Sequence, residues 1–334
     1  MTEVQVSILC IAYNHEPFIR KALDGFLMQK TRYSYEILVH DDASTDSTAN
    51  IIREYAARHP DQIFPVFQSR NQYSKGVAVN YEFNFRRARG KYIALCEGDD
   101  YWTDENKLER QVQYLESHPG CTFTFHNAEV IGLHGDTMRP FFSRAWNSFN
   151  GYEPGDRDFD ADALIRFGFL PTASIVYRKE CMDDAPPFYF NGVCGDLPTY
   201  LICVSQGSAH FFDREMSAYR QGNPHSATAV QVSSRLELEK YIGGVQKIYR
   251  DFDAWTGGRY HKACEQKILE KSFEKLFYQQ DYRGMRGPEY AEIIKKVTPL
   301  QKGIFWTKVH MGDQYALLRG MAYRLQALRR TLGT

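Results

Sequence analysis

No window of this sequence reaches the run of about eighteen apolar residues that a membrane-spanning helix requires. The opening stretch MTEVQVSILCIAYN lacks a basic region followed by a long apolar core, so no secretory leader is expected. Charge of one sign is not in surplus either. Lys plus Arg and Asp plus Glu stand at 41 each, which removes the basic excess typical of nucleic-acid binding. The seven cysteines, Cys10, Cys96, Cys121, Cys181, Cys194, Cys203 and Cys264, are odd in number and include no C-x-x-C pair. That pattern argues against a disulfide framework or a zinc site, and several of them sit in apolar runs as small hydrophobes. Neither G-x-G-x-x-G nor G-x-x-x-x-G-K-[ST] occurs, so dehydrogenase and P-loop readings lack their signature. Internal repeats and low-complexity segments are absent too. The expectation is a cytoplasmic protein.

What is present is an ordinary soluble composition, 43% apolar and 25% charged, with abundant aromatics: 22 Tyr and 22 Phe. Most of those rings belong in a core, and some are available to stack on sugars or bases. The 334 residues allow one large domain or two smaller ones, and one domain with an extension fits the pattern best.

Three apolar runs, Val4 to Ala12, Glu36 to Val39 and Ile63 to Phe67, alternate with helical patterns beginning near Pro17 and Asp46. Such alternation makes a parallel, right-handed arrangement the default. Residues Gln68 to Gly90 form a polar loop that becomes helical, and deliver the chain to KYIALCEGDD, the centre of the sequence. Tyr92 to Cys96 read as a strand buried on both faces, with Glu97, Asp99 and Asp100 at its C-terminal edge. Ligands bind at that edge in open α/β sheets, and clustered carboxylates repel one another unless a cation or donor-rich ligand offsets them. A hard divalent ion shared with phosphate oxygens would do so.

Beyond it, a helix after Asp104, a strand at Cys121 to Phe125 and a poorly patterned stretch from Gly132 to Asp160 are expected, the last as a long loop over the site. Thr172 to Tyr177 is a strand candidate; Asp196 opens a helix; Ala209 to Phe212 and Met216 to Tyr219 are short strands. From about Val230 the pattern is helical and ends in YALLRGMAYRLQALRR.

SILCIAYN, EILVHDDASTD, ARGKYIALCEGDD, and GDLPTYLICVSQG followed by YRQGNPHS stand in an order that resembles glycosyltransferase family 2, the inverting nucleotide-sugar enzymes of GT-A fold. The resemblance covers roughly Val4 to Ser226. It implies an α/β GT-A fold, Rossmann-like, with a mostly parallel mixed sheet flanked by helices and a C-terminal helical extension. The implied division is a catalytic domain over residues 1–228, its nucleotide-sugar half 1–127 and acceptor half 128–228, followed by helices over 229–334. Its activity would be a metal-dependent, inverting transfer from a nucleoside diphosphate sugar, with uridine as the default nucleotide, to a hydroxyl of a glycan or lipid-linked acceptor. Bacterial polysaccharide or glycan assembly is the implied setting.

Carried over residue by residue, the resemblance puts Tyr13 and Asn14 beside the nucleotide and Asp42 on its base, while Asp46 is assigned to capping. A carboxylate can accept from a base N–H and a phenol face can stack, so both roles make chemical sense. Glu97 replaces the first Asp of the family's D-x-D and is a donor contact; Asp99 falls on the motif's last position and, with Asp100, is a ligand of Mn²⁺ or Mg²⁺ as well as a donor contact. Asp196 matches the catalytic base, with helix capping as its competing role. His225 is implied as a further metal ligand, Arg220 as a phosphate contact, and Asn71, Lys75 and Asn80 as donor-loop contacts or solvated loop residues.

A sugar nucleotidyltransferase is the alternative, although AYNHEPFIRKAL lacks its Gly-rich basic signature; a catalytically silent nucleotide-sugar scaffold is another. No nucleic-acid partner is expected. The C-terminal helices have three open roles: packing on the domain, pairing subunits into a homo-oligomer, or peripheral membrane contact through Arg319, Arg324, Arg329 and Arg330 beside Leu317, Leu318, Leu325 and Leu328.

Overall fold

The computed structural model describes residues 3–143, 152–224, 226–231, 233–281 and 283–296. His225 and the arginine-rich C-terminal segment therefore lie outside the described residues. Two compact units divide between Lys267 and Ile268.

The first unit is built on one mixed sheet. Its strands are β1 (Val6–Ala12), β2 (Tyr35–Asp41), β3 (Ile63–Phe67), β4 (Tyr92–Leu95), β5 (Tyr101–Trp102), β6 (Cys121–Ile131), β7 (Thr137–Pro140), β8 (Arg157–Phe159), β9 (Val176–Arg178) and β10 (Ser208–Arg220). They run in the order β3-β2-β1-β4-β9-β6-β10-β5, with β7 added to β6 and β8 to β10. The half containing β1 to β4 is parallel, and β9 enters antiparallel between β4 and β6. This is the mostly parallel mixed sheet of the GT-A expectation.

Helices α1 (Ile19–Leu27), α2 (Thr48–Arg58), α3 (Val79–Phe83) and α4 (Lys107–Ser117) follow the early strands. Apolar residues at helical spacing explain their docking. Ile19, Ala22, Leu23 and Phe26 of α1, Ile51, Ile52 and Tyr55 of α2, and Leu108, Val112 and Leu115 of α4 join the buried β1, β2 and β4 side chains in one core. Phe26 meets Trp102 edge to face at 4.9 Å. The later helices are α5 (Ala161–Phe167), α6 (Pro187–Phe190), α7 (Asp196–Ser205), α8 (Ala227–Gln231), α9 (Arg235–Trp255), α10 (His261–Tyr278) and α11 (Ala291–Lys296). The first unit thus takes in α8 and α9, from the stretch expected as a helical extension. Gly244 of α9 faces Val193, which a Cβ there would meet at 2.2 Å. In the second unit Phe273 packs on Tyr290 at 5.5 Å.

The ARGK motif has a structural cause. Gly90 passes so close to β1 that a Cβ would lie 2.5 Å from the Ser7 nitrogen. Its N–H donates to Ser7 Oγ, which donates to the buried Glu36 carboxylate, and that carboxylate also accepts from Arg89 N and Nε. A buried carboxylate is retained because every contact it makes is a donor.

Three expectations change. The strand expected over Thr172 to Tyr177 is a 3₁₀ turn at Thr172–Ser174 followed by β9 at Val176–Arg178. Part of the stretch from Gly132 to Asp160 is ordered pairing rather than loop, since β7 returns on β6 and β8 pairs with β10. The two short strands after α7 are one thirteen-residue strand whose irregular register against β6 carries it past the polar interruption at Asp213 to Glu215. Among the described residues, no helix is long and apolar enough to cross a membrane.

Candidate functional site

The C-terminal ends of β1, β2 and β4 open on one edge, and β10 closes it from the far side. At the end of β1, Asn14 takes a left-handed φ of 54°, tolerated by its short polar side chain. Its Oδ1 accepts from Thr45 N at 2.8 Å and its N–H donates to Ser44 Oγ at 2.9 Å, so it knits the first strand end to the second. Tyr13 beside it is exposed, with its ring available. Asp46 lies one residue ahead of Ser47, the N-cap of α2, and accepts from Thr48 N at 2.9 Å, so it braces the first turn without being its cap.

Asp42 is buried, and both carboxylate oxygens accept from backbone N–H groups of a distant loop: Oδ1 from Gln72 at 2.8 Å and Oδ2 from Tyr73 at 3.0 Å. Asn71 adds a bond from Nδ2 to the Asp42 carbonyl and accepts from Ser74 N. In this structure Asp42 and Asn71 shape the loop over the site, and Lys75 is exposed on it. Asn80 accepts from Asn84, which also donates to the Cys10 carbonyl of β1.

After β4 the chain turns through Glu97, Gly98, Asp99 and Asp100. At Gly98 a Cβ would meet His15 Nδ1 and Ile19 Cδ1 at 2.9 Å, so a side chain there would have to displace both. Asp99 Oδ2 accepts from Asn223 Nδ2 at 2.9 Å and lies 3.9 Å from His15 Nε2. Asp100 Oδ1 accepts from Arg220 N at 2.8 Å, while its Oδ2 is buried with no hydrogen-bond partner. Burial, then the charges of Asp99 and Glu97, pushes the Asp100 carboxyl well above the usual range. Glu97 is pushed up to about 8 by burial, Asp99 and Asp196.

Arg220 is buried, and its guanidinium donates to the carbonyls of Asp99, Gly132 and Leu133 while lying over Phe18 at 4.4 Å. Sequence reading offered this fork to a phosphate. Here its bonds go to main-chain carbonyls, and it fixes the Asp99–Asp100 turn.

Asp196 is the first residue of α7, not its cap: Gly195 holds that position, and Asp196 Oδ1 accepts from Leu197 N at 2.8 Å. Burial raises its pKa, with the Leu197 N–H and the Cys194 thiol working the other way. Hydrogen bonds at a helix start would by themselves lower a carboxylate's pKa; here desolvation outweighs them. Asp196 and the Glu97–Asp99–Asp100 turn, widely separated in sequence, come together at this edge.

Sequence reasoning missed Asn223, His15, Tyr73 and Tyr219. Tyr73 is half exposed, and its phenol is pushed up by partial desolvation and by Glu97, Cys194 and Asp196; that of Tyr219 by desolvation, Asp100, Glu97 and Asp196. Asn223 sits in a Gly-Asn-Pro turn whose local chemistry explains it fully, so the sequence carries no sign of its bond to Asp99.

Chemically, the edge offers oxygen donors of the kind Mg²⁺ or Mn²⁺ takes, and the unpartnered Asp100 Oδ2 in a repelling, buried group fits such an ion. Among the described residues, no three or more His, Cys, Asp or Glu side chains are grouped to hold a metal by themselves. One or two carboxylates completed by phosphate and water is the usual Mg²⁺ arrangement.

Residues 7–168 match the family model described as Glycosyl transferase family 2. An uncharacterized protein of Mycobacterium tuberculosis, Rv1520, is 44% identical over 182 residues, 54% of this chain and 49% of its own length. The chain thus spans about half the length of that curated relative. Among solved structures, Staphylococcus aureus TarS 1-349 in complex with UDP-GlcNAc superposes with a TM-score of 0.61 at 15% identity, covering 88% of this chain and 79% of that one. A mannosyltransferase from Pyrobaculum calidifontis, PcManGT, in complex with GDP-Man and Mn²⁺ gives 0.54 at 16% identity, covering 98% and 87%. At those identities the likeness speaks to the fold.

Proposed function

We propose, from the match of residues 7–168 to glycosyl transferase family 2, that this chain transfers a sugar from a nucleoside diphosphate sugar, uridine favoured, to a hydroxyl of a glycan or lipid-linked acceptor, with inversion. The observation that carries this reading is the half-buried Asp196 carboxylate set against the Glu97–Asp99–Asp100 edge, its pKa raised by desolvation. A raised pKa suits a general base working near neutrality.

The acceptor oxygen attacks the anomeric carbon on the face opposite the diphosphate. As the C–O bond to the leaving group breaks, the nucleoside diphosphate departs with the electron pair, and the acceptor proton passes to Asp196. Asp99 and Asp100 would hold a divalent ion that neutralises charge on the departing diphosphate. Tyr13 would stack on the base, Asn14 and Asp42 would hold the strand ends and loop around it, and Glu97, Asn71 and Lys75 would face the donor. Arg220 acts as a positioning residue, holding the Asp99–Asp100 turn in place.

Support for a nucleoside diphosphate sugar comes from TarS and PcManGT, whose complexes hold UDP-GlcNAc and GDP-Man. The deciding experiment is thermal stabilisation by UDP, GDP and dTDP, each with and without Mn²⁺, on the native chain and on Asp99→Asn. A nucleotide at one hundred times its dissociation constant adds about 2.7 kcal/mol. Metal-dependent stabilisation lost in the variant supports the reading. No response to any nucleotide would overturn the donor-site reading.

A further inference from the structure

We infer that Phe169, Phe141 and Tyr219 form a platform on which a pyranose ring of the acceptor stacks, a reading that rests on the proposed glycosyl transfer. Phe169 is 44% exposed, unusual for so large an apolar ring. It follows Gly168, whose φ of 97° turns the chain sharply off α5 and which glycine alone adopts without strain. Tyr200, one turn along α7 from Asp196, donates its hydroxyl to the Gly168 carbonyl at 3.1 Å, so this segment is pinned beside the helix that carries the proposed base.

From Phe169 the rings continue across the site. Phe141 lies 5.9 Å from Phe169 and 5.4 Å from Tyr219, the second contact edge to face. Tyr219 directly precedes Arg220, whose N–H donates to Asp100 Oδ1. The row therefore runs from the helix bearing Asp196 to the turn bearing Asp100, the span an acceptor hydroxyl must occupy. Neighbouring Phe142 shows the contrast. It is buried against Phe125, Phe167 and Phe211, while Phe141 packs edge to face on it at 4.9 Å and stays half-buried at the outer end of that cluster.

The chemistry selects the occupant. An aromatic face is negative, and the C–H face of a pyranose presents weakly positive hydrogens to it while the hydroxyl rim stays hydrated. An anion gains nothing from such a face. Arg139, the cation beside the row, already donates from Nη1 to the Pro140 and Phe141 carbonyls.

Saturation-transfer NMR on the full chain with UDP and Mg²⁺ tests this. The probes are methyl β-glucopyranoside, methyl α-mannopyranoside and methyl N-acetyl-β-glucosaminide, with xylitol as an acyclic polyol and hexanol as an apolar chain. At least one pyranoside is expected to be saturated through its C–H protons, with a loss of roughly fivefold in Phe169→Ala, the scale of one aromatic contact, and retention in Phe169→Trp. Phe141→Leu is expected to weaken the same signal, which keeps the test open if one variant folds poorly. Absence of pyranoside saturation, equal saturation in Phe169→Ala, or saturation of hexanol instead would overturn the platform. The UDP signal is read separately: if UDP itself is not saturated, the donor reading fails, while the pyranoside signals still decide the platform.

Discussion

Asn223 donates from Nδ2 to Oδ2 of Asp99 at 2.9 Å although 124 positions separate them in the chain. The bond ties the segment after β10 to the turn after β4, and it aims one carboxylate of the proposed donor site. A hydrogen bond to a charged, buried acceptor is worth about 1.5–3 kcal/mol. Asn223→Ala is expected to weaken UDP binding in the presence of Mn²⁺ by about tenfold, measured by calorimetric titration. Unchanged affinity would reduce the bond to a turn contact.

Asp196→Asn keeps the shape of the side chain and removes its basicity. Transfer is expected to fall by about 10²–10⁴-fold, the usual range for a general base, while UDP still stabilises the protein. A variant that loses nucleotide binding together with turnover would place Asp196 in the donor site instead.

Asp42 holds two backbone N–H groups on its two oxygens. In Asp42→Asn one oxygen becomes an NH₂ that faces a donor, so one N–H is left without an acceptor at a cost of about 1–3 kcal/mol. The expected results are faster hydrogen exchange at Gln72 and Tyr73 and a lower thermal midpoint. Exchange that matches the parent would contradict the clamp.

Lys107 is fully buried over the Trp102 ring at 4.1 Å, and its Nζ has no hydrogen-bond partner. Burial lowers its pKa from 10.5 to about 7. Between those values the folded state holds fewer protons than the unfolded one, so this group's penalty is full below about 7 and fades as pH rises toward 10.5. Lys107→Met should therefore raise stability at pH 7 by about 2 kcal/mol and less at pH 10, read from urea midpoints at both. An equal change at both pH values would mean the ammonium is not the source.

Gly90→Ala would set a methyl 2.5 Å from the Ser7 nitrogen and 2.6 Å from the Val6 carbonyl carbon. Backbone cannot yield there as a flexible side chain would, so a loss of about 3 kcal/mol or more is expected in equilibrium unfolding. A neutral substitution would show that β1 and the Gly90 segment can separate.

The sequence by itself determined the order of elements and the identity of the carboxylates. Apolar runs ending abruptly in Tyr13-Asn14, Asp41-Asp42 and Glu97-Gly98-Asp99-Asp100 place three strand ends on one edge, because parallel strands joined by helices all finish on the same side. Asp46 could be placed at the start of α2 for the same local reason, although Ser47 holds the cap position itself. The second half was less legible: β7, β8 and the long β10 are defined by pairing with β6 and with one another, and pairing energy lies between segments rather than within them. The tertiary structure alone decided how the polar groups are spent. Arg220 has a phosphate-binding fork in sequence, but its donors go to carbonyls of Asp99, Gly132 and Leu133. Asp196 looks like a helix cap, yet desolvation by its surroundings sets its pKa. Burial and the partner across a cleft fix the role of an ionisable group, and both come from residues far away in the chain.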